Sequence, residues 1–178
     1  MSLSSVRAGN IIGGGDWAED RIVPDCVRAL VKGEPVGIRN PHAIRPWQFV
    51  LDPLFGYLWL GLKMREEPEK YADAWNFGPD CSKTTDVQSL AEKIIREWGS
   101  GTGKILSQNE NAPHEAGYLK LDSAKSLTRL SWKPVYAIDE AVQKTIGWYR
   151  EYYRGNGDMH EFSLRQVEKY MHDAMRQY

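Results

Sequence analysis

Apolar residues recur at spacings of three and four positions along several segments, a pattern that predicts amphipathic helices. The clearest stripe begins after Thr84 or Thr85 and stops before Gly99, a residue type suited to ending a helix. Its apolar face comprises Val87, Leu90, Ala91, Ile94, Ile95 and Trp98. A second stripe covers residues 138–149, and a third covers residues 164–175 beyond a glycine-containing break.

Acidic residues and short apolar runs between these stripes predict the remaining elements. Helices are expected to start at Asp20, at Asp52-Pro53 and at Asp122. Strands are expected where the apolar runs are brief, namely over residues 6–12, 75–78, 104–108 and 118–121. A loop and short strand around residues 44–49 is expected to direct Trp47, Phe49 and Ile44 towards the core.

The resulting alternation of helices and short strands predicts an α/β fold. Residues 1–153 form the main predicted region, and residues 154–178 form a C-terminal helical tail. Three roles stay open for the tail: packing on the main body, self-association, and covering a surface that another segment would otherwise occupy.

Composition excludes several classes of protein. With a net charge of −1 and a pI near 6.4, the chain has no bulk basic surface for nucleic acid or anionic membranes. The 178 residues contain no apolar stretch of membrane-spanning length and no signal peptide, so a cytoplasmic location is expected. Cys26 and Cys81 are far apart and lack the spacing of a zinc site, which predicts buried thiols and no metal.

Candidate chemistry lies in two segments near the start of the chain. Three consecutive glycines, residues 13–15, follow the first predicted strand, and open α/β sheets bind ligands at such strand ends. A glycine turn without a ligand is the alternative. Arg39 and Arg45 lie on a stretch with two prolines, and the planar guanidinium group of arginine suits phosphate oxygens. A surface arginine paired with a carboxylate is the alternative for each.

Several motifs resemble the C-terminal half of the extended short-chain dehydrogenase/reductase family. They are Val-Arg-x-Gly-Asn-x-x-Gly-Gly-Gly-Asp-Trp at 6–17, Arg-Asn-Pro-x-x-x-Arg-Pro-Trp-Gln at 39–48, Trp-Asn-Phe-Gly at 75–78 and His-Glu-Ala-x-x-Leu-x-Leu-Asp at 114–122. The glycine and arginine motifs are most similar to the branch of CDP-glucose 4,6-dehydratases. The resemblance covers residues 4–153, so the tail lies beyond it.

This resemblance implies the substrate-binding part of an NAD-dependent lyase of deoxysugar biosynthesis, helix-rich with short strands, whose Rossmann half is missing here. In the intact family member, NAD takes hydride from the sugar C4, water is eliminated across C5 and C6, and hydride returns at C6. The glycine-rich NAD loop and the Tyr-x-x-x-Lys pair of the family do not occur in this sequence. The chain alone is therefore expected to be inactive and to bind no NAD tightly.

The same resemblance implies the substrate site, with CDP-glucose or a related sugar nucleotide as partner. The implied residues are Asn10, Asp16, Trp17, Arg21, Arg39, Arg45, His114 and Glu115, with Arg45 on the diphosphate. Alternatives stay open: Asn10 as a turn former, Trp17 as a base-stacking or a loop-shielding ring, and His114-Glu115 as a ribose contact or a surface pair. No catalytic residue is assigned. A non-catalytic module that binds nucleotide sugars or forms homo-oligomers is the alternative function.

Overall fold

The computed structural model describes residues 2–80, 84–99, 104–107, 117–155 and 157–177. Its helices are α1 (Ile22–Lys32), α2 (Leu51–Glu66), α3 (Pro68–Tyr71), α4 (Val87–Trp98), α5 (Ala124–Leu130), α6 (Ile138–Arg154) and α7 (Met159–Met175). Its strands are β1 (Ser5–Ala8), β2 (Asn10–Ile12), β3 (Val36–Ile38), β4 (Ile44–Arg45), β5 (Trp47–Phe49), β6 (Ala74–Phe77), β7 (Thr85–Asp86) and β8 (Ile105–Ser107).

The strands pair two by two. Parallel ladders join β1 to β6, β2 to β5 and β3 to β8, whereas β4 and β7 are antiparallel. In the second ladder Asn10 is level with Trp47, and Ile12 is level with Phe49. Because side chains alternate along a strand, these four residues share one face of the ladder. Ile12, Trp47 and Phe49 join the core, as predicted for Trp47 and Phe49, whereas Asn10 at the start of β2 is only partly buried.

The predicted helical stripes are present, and several helix ends carry a side chain or a glycine that suits the capping position. Asp86 caps α4 by accepting a hydrogen bond from the Ser89 N–H at 2.6 Å. Gly33, Gly99 and Gly155 end α1, α4 and α6 in the left-handed conformation that glycine adopts without strain. The apolar faces of α4 and α6 pack against each other within the main core.

Three local expectations are wrong. Helix α1 begins at Ile22 with Arg21 at its N-cap, and Asp20 instead adopts a left-handed φ of 62°. Residues 118–121 form no strand, only a single bridge between Tyr118 and Ile44. The first predicted strand is divided at Gly9, where a Cβ atom would lie 2.4 Å from the carbonyl oxygen of Pro46.

The main core lies between α1, α4, α6 and the β2–β5 ladder. Cys26 is buried there as predicted, and burial raises the pKa of its thiol to about 12. Cys81 lies outside the described residues. Helix α7 buries Tyr170 and Ala174 in the same core, whereas the other members of its predicted apolar stripe, Leu164, Val167, Met171 and Met175, are exposed. A second, smaller core joins α2, β6 and Trp132.

Two kinds of feature are absent from the described residues. None of their helices is long and apolar enough to cross a membrane. Within the same residues, no group of three or more His, Cys, Asp or Glu side chains is placed to hold a metal ion.

Candidate functional site

A cleft of about 440 Å³ lies along β2 and beside Trp47 of β5. The loop from β2 to α1, the first turn of α1, the end of β3 and strand β4 surround it. Its polar lining consists of Asn10, Asp16, Asp20, Arg21, Asp25, Arg39, Asn40 and Arg45. The apolar lining includes Ile12, Val23, Pro24, Ile38, Trp47 and Val87. Apolar walls with a few convergent polar groups are typical of small-molecule sites.

Strand pairing places Asn10 and Trp47 side by side in this lining. The Asn10 amide supplies both a donor and an acceptor. The indole N–H of Trp47 is buried and makes no hydrogen bond to the described part of the chain. The close approach of Gly9 to Pro46 brings the two strands together at this end.

Two of the three cleft arginines are held by carboxylates of the loop between β2 and α1. The Arg21 guanidinium donates to Asp16 Oδ2 at 3.0 Å. The Arg39 guanidinium lies 3.1 Å from Asp20 Oδ1 and also donates to the Asp20 carbonyl at 3.4 Å. The partly buried Arg45 donates from Nη1 to the Ile44 carbonyl at 2.9 Å. The cleft therefore combines cationic groups with nearby acidic ones.

Helix α6 anchors the same loop from behind. The Tyr149 hydroxyl donates to the Asp16 carbonyl, and burial raises the pKa of this phenol to about 12, so it stays a donor. A Cβ atom on Gly14 would lie 2.1 Å from the Trp148 ring, so the loop lies against the helix here. Arg28 adds hydrogen bonds to the carbonyls of Trp17 and Ala18.

Trp17 is part of an aromatic group rather than of the cleft lining. Its ring centroid lies 5.3 Å from Tyr149 and 4.9 Å from Tyr152, and Trp148 and Tyr153 complete the group. This packing favours the loop-shielding role over base stacking.

The structure brings Asn10, Asp16, Arg21, Arg39 and Arg45 together in one cleft. Their roles remain predictions. His114 and Glu115 lie outside the described residues.

The sequence did not identify several residues of the cleft lining. They are Asp20, Gly37, Ile38, Asn40 and Trp47, of which Gly37 and Ile38 belong to β3. The signal for β3 was present, because Val36-Gly-Ile38 is a short apolar run between Pro35 and Arg39.

Comparison with known proteins gives a match over nearly the whole chain. A CDP-glucose 4,6-dehydratase of Salmonella typhimurium is 42% identical over 176 residues, which are 99% of this chain and 48% of that protein. The chain thus spans about half the length of this relative. No family model matches the chain.

Two solved structures share the fold. One is UDP-glucose 4-epimerase from Thermotoga maritima with UDP-glucose, which superposes with a TM-score of 0.68 at 18% sequence identity. The superposition covers 86% of this chain and 47% of the epimerase chain. The other is dTDP-glucose 4,6-dehydratase from Bacillus anthracis in complex with NAD, with a TM-score of 0.67 at 17% sequence identity. This superposition covers 83% of this chain and 44% of the dehydratase chain. The predicted resemblance and fold class are thereby confirmed. The chain belongs to the extended short-chain dehydrogenase/reductase family and corresponds to the C-terminal part of its members.

Proposed function

We propose that this chain is the substrate-binding part of an NAD-dependent CDP-glucose 4,6-dehydratase and binds a CDP-sugar in the cleft. One observation carries the proposal: Arg21, Arg39 and Arg45, distant in sequence, meet with Asn10 around one cavity. The relative with 42% identity is a CDP-glucose 4,6-dehydratase, which supports the cytosine nucleotide as ligand. A cytoplasmic location remains the expectation.

The diphosphate is the part of the ligand that this cleft suits best. Arginine forks form paired, charge-assisted hydrogen bonds with phosphate oxygens. The first turn of α1 also lines the cleft through Ile22 and Val23, and the positive end of a helix dipole favours an anion there. Arg45 is partly buried and is itself a residue of strand β4, so it is the best-positioned arginine of the three. Asn10 is assigned to a hydroxyl or phosphate oxygen of the ligand.

The described residues do not fit NAD. A dinucleotide loop leads from a strand through closely spaced glycines directly into a helix N-terminus that binds the diphosphate. Here β2 ends at Ile12 and α1 begins at Ile22, and the glycines of the connection contact Val50 and Trp148 rather than the helix start. The redox chemistry is therefore assigned to the intact enzyme. This chain contributes binding and orientation of the sugar nucleotide.

Calorimetric titration of the purified chain with CDP tests the proposal, with UDP and dTDP as competitors for specificity. Saturable binding with CDP preferred is expected. Arg45→Ala should weaken CDP binding by roughly 10- to 100-fold, the usual cost of losing hydrogen bonds to a charged group. Arg96→Ala, an exposed arginine near the end of α4, is the matched control and should bind CDP like the parent. Absence of CDP binding, or equal binding by Arg45→Ala, contradicts the proposal.

A second candidate function, self-association, is favoured by one face of α2. Leu54, Leu58 and Leu62 follow one another at spacings of four, yet they are 46%, 76% and 39% exposed. Contiguous exposed apolar side chains are typical of association surfaces. This candidate corresponds to a non-catalytic module that forms homo-oligomers.

A further inference from the structure

Ion pairs with aspartates engage two of the three arginines of the cleft. Asp16 holds Arg21 at 3.0 Å, and Asp20 holds Arg39 at 3.1 Å. Both carboxylates come from the single loop between β2 and α1, and all four side chains belong to residues that line the cleft. An incoming phosphate must therefore compete with a carboxylate of the chain itself for each of these two arginines.

The pairs are exposed enough to exchange partners. The side chains of Arg21 and Asp16 are 64% and 30% accessible, and those of Arg39 and Asp20 are 45% and 80% accessible. Exposed ion pairs contribute little net free energy because water screens them. A diphosphate offers each guanidinium more oxygens and more charge than one carboxylate does. Displacing the aspartates consequently requires a small amount of free energy, which reduces the affinity for the ligand.

We propose that Asp16 and Asp20 are internal competitors of the ligand, which hold Arg21 and Arg39 until a diphosphate displaces them. This proposal rests on the proposed phosphate-binding function of the cleft. Both residues lower the affinity for the ligand, although they line its site.

The charges of the lining agree with this role. Three arginines (Arg21, Arg39, Arg45) are balanced by three aspartates (Asp16, Asp20, Asp25), so the lining is neutral overall. Asp25 differs from the other two because it pairs with Arg28, which is not a lining residue. Its charge faces the same cavity without occupying a cleft arginine.

Replacing either competitor with asparagine removes the charge with little change of shape. Asp20 has a φ of 62°, and asparagine is among the residue types that tolerate this region. Asp16 accepts a hydrogen bond from the Ala18 N–H at 3.1 Å, which the amide oxygen of asparagine can still accept. Both variants are therefore expected to fold, which circular dichroism and thermal unfolding verify.

The test is calorimetric titration of the 178-residue parent, Asp20→Asn, Asp16→Asn and the double variant with CDP. Each single variant is expected to bind CDP about two- to fivefold more tightly than the parent, since each removes one exposed ion pair. The gain should shrink when the salt concentration rises from about 0.05 M to about 0.5 M. Cytidine, which has no phosphate, should gain nothing.

Asp25→Asn is the matched control. It changes the charge of the lining by the same amount but leaves Arg21 paired with Asp16 and Arg39 paired with Asp20. A gain equal to that of Asp20→Asn would show a general charge effect and overturn the proposal. Unchanged or weaker CDP binding by Asp16→Asn and Asp20→Asn would also overturn it, while CDP binding by the parent would leave the proposed function standing. If neither the parent nor any variant binds CDP, both the proposed function and this inference fail.

Discussion

Asp52 is the acidic side chain most altered by the fold. It is fully buried at the start of α2, and burial raises the pKa of its carboxyl from 3.8 to about 6. Its Oδ1 atom accepts hydrogen bonds from the Val135 N–H at 2.7 Å and from the Tyr170 hydroxyl at 2.9 Å. Its Oδ2 atom accepts none from the residues that the structure describes. These bonds only partly offset the cost of burying the charge.

The raised pKa of Asp52 predicts that stability falls as the pH rises through this range. Between pH 3.8 and about 6 the folded chain retains a proton that the unfolded chain has released, so raising the pH favours unfolding. From pH 5 to pH 7.5 this group should cost on the order of 1 kcal/mol of the free energy of unfolding. Urea titrations of the parent and Asp52→Asn at both pH values measure it. The variant keeps an acceptor for Val135 and Tyr170 and should lack this part of the pH dependence.

Other carboxyl groups do not mimic this effect. Lys169 holds the pKa of Asp173 down to about 2, and Lys125 lowers the pKa of Asp73. Each contributes stability above its unfolded pKa of 3.8 and loses it as the pH falls below that value, outside the range tested. An identical pH dependence in the parent and Asp52→Asn would show that Asp52 is ionised normally.

Single residues of the site could be anticipated from local chemistry, but their partners could not. Arg39 and Arg45 stand out because two prolines keep their segment from forming a helix. Asp20 pairs with Arg39, which lies 19 positions away in the sequence. This pairing depends on the left-handed φ of Asp20, and no local sequence pattern predicts that conformation for an aspartate.

Elements were anticipated where one periodic face is buried along its whole length. Helix α4 is such a case, because Leu90, Ala91 and Ile94 all contact the same core. In α2 the helix is present, but Gly56 and Leu60 are buried while the leucine face of residues 54, 58 and 62 is exposed. An apolar stripe indicates that one face of a helix packs against another surface, and that surface can belong to another molecule.

The leucine face of α2 yields a prediction about association. If this face joins two copies, the chain should migrate as a dimer in size-exclusion chromatography with light scattering, and Leu58→Glu should be a monomer because a carboxylate would be buried in the interface. Leu127→Glu is the matched control, since Leu127 is 52% exposed on α5, apart from this face. A parent that stays monomeric at high concentration contradicts the self-association function.

At the scale of the whole molecule, the two C-terminal helices contact residues that are far away in the sequence. The Tyr149 hydroxyl reaches the Asp16 carbonyl across 133 positions, and Tyr170 reaches Asp52 across 118. Such contacts arise from packing and leave no signature in sequence spacing. The C-terminal helices therefore support the loop between β2 and α1 through α6 and the core through α7.

This division of labour predicts binding without turnover. In the proposed role Arg21, Arg39 and Arg45 bind the diphosphate, whereas the sequence contains no tyrosine followed four positions later by a lysine that could remove the sugar hydroxyl proton. Incubation of the chain with CDP-glucose and NAD should leave both compounds unchanged, as mass spectrometry of the nucleotide would show. Product that has lost one water would show that other residues of this chain perform the proton transfer, and it would contradict a purely substrate-binding role. The Arg45→Ala variant separates the two cases, because true turnover in this cleft must fall with CDP affinity, whereas a contaminating enzyme would be unaffected.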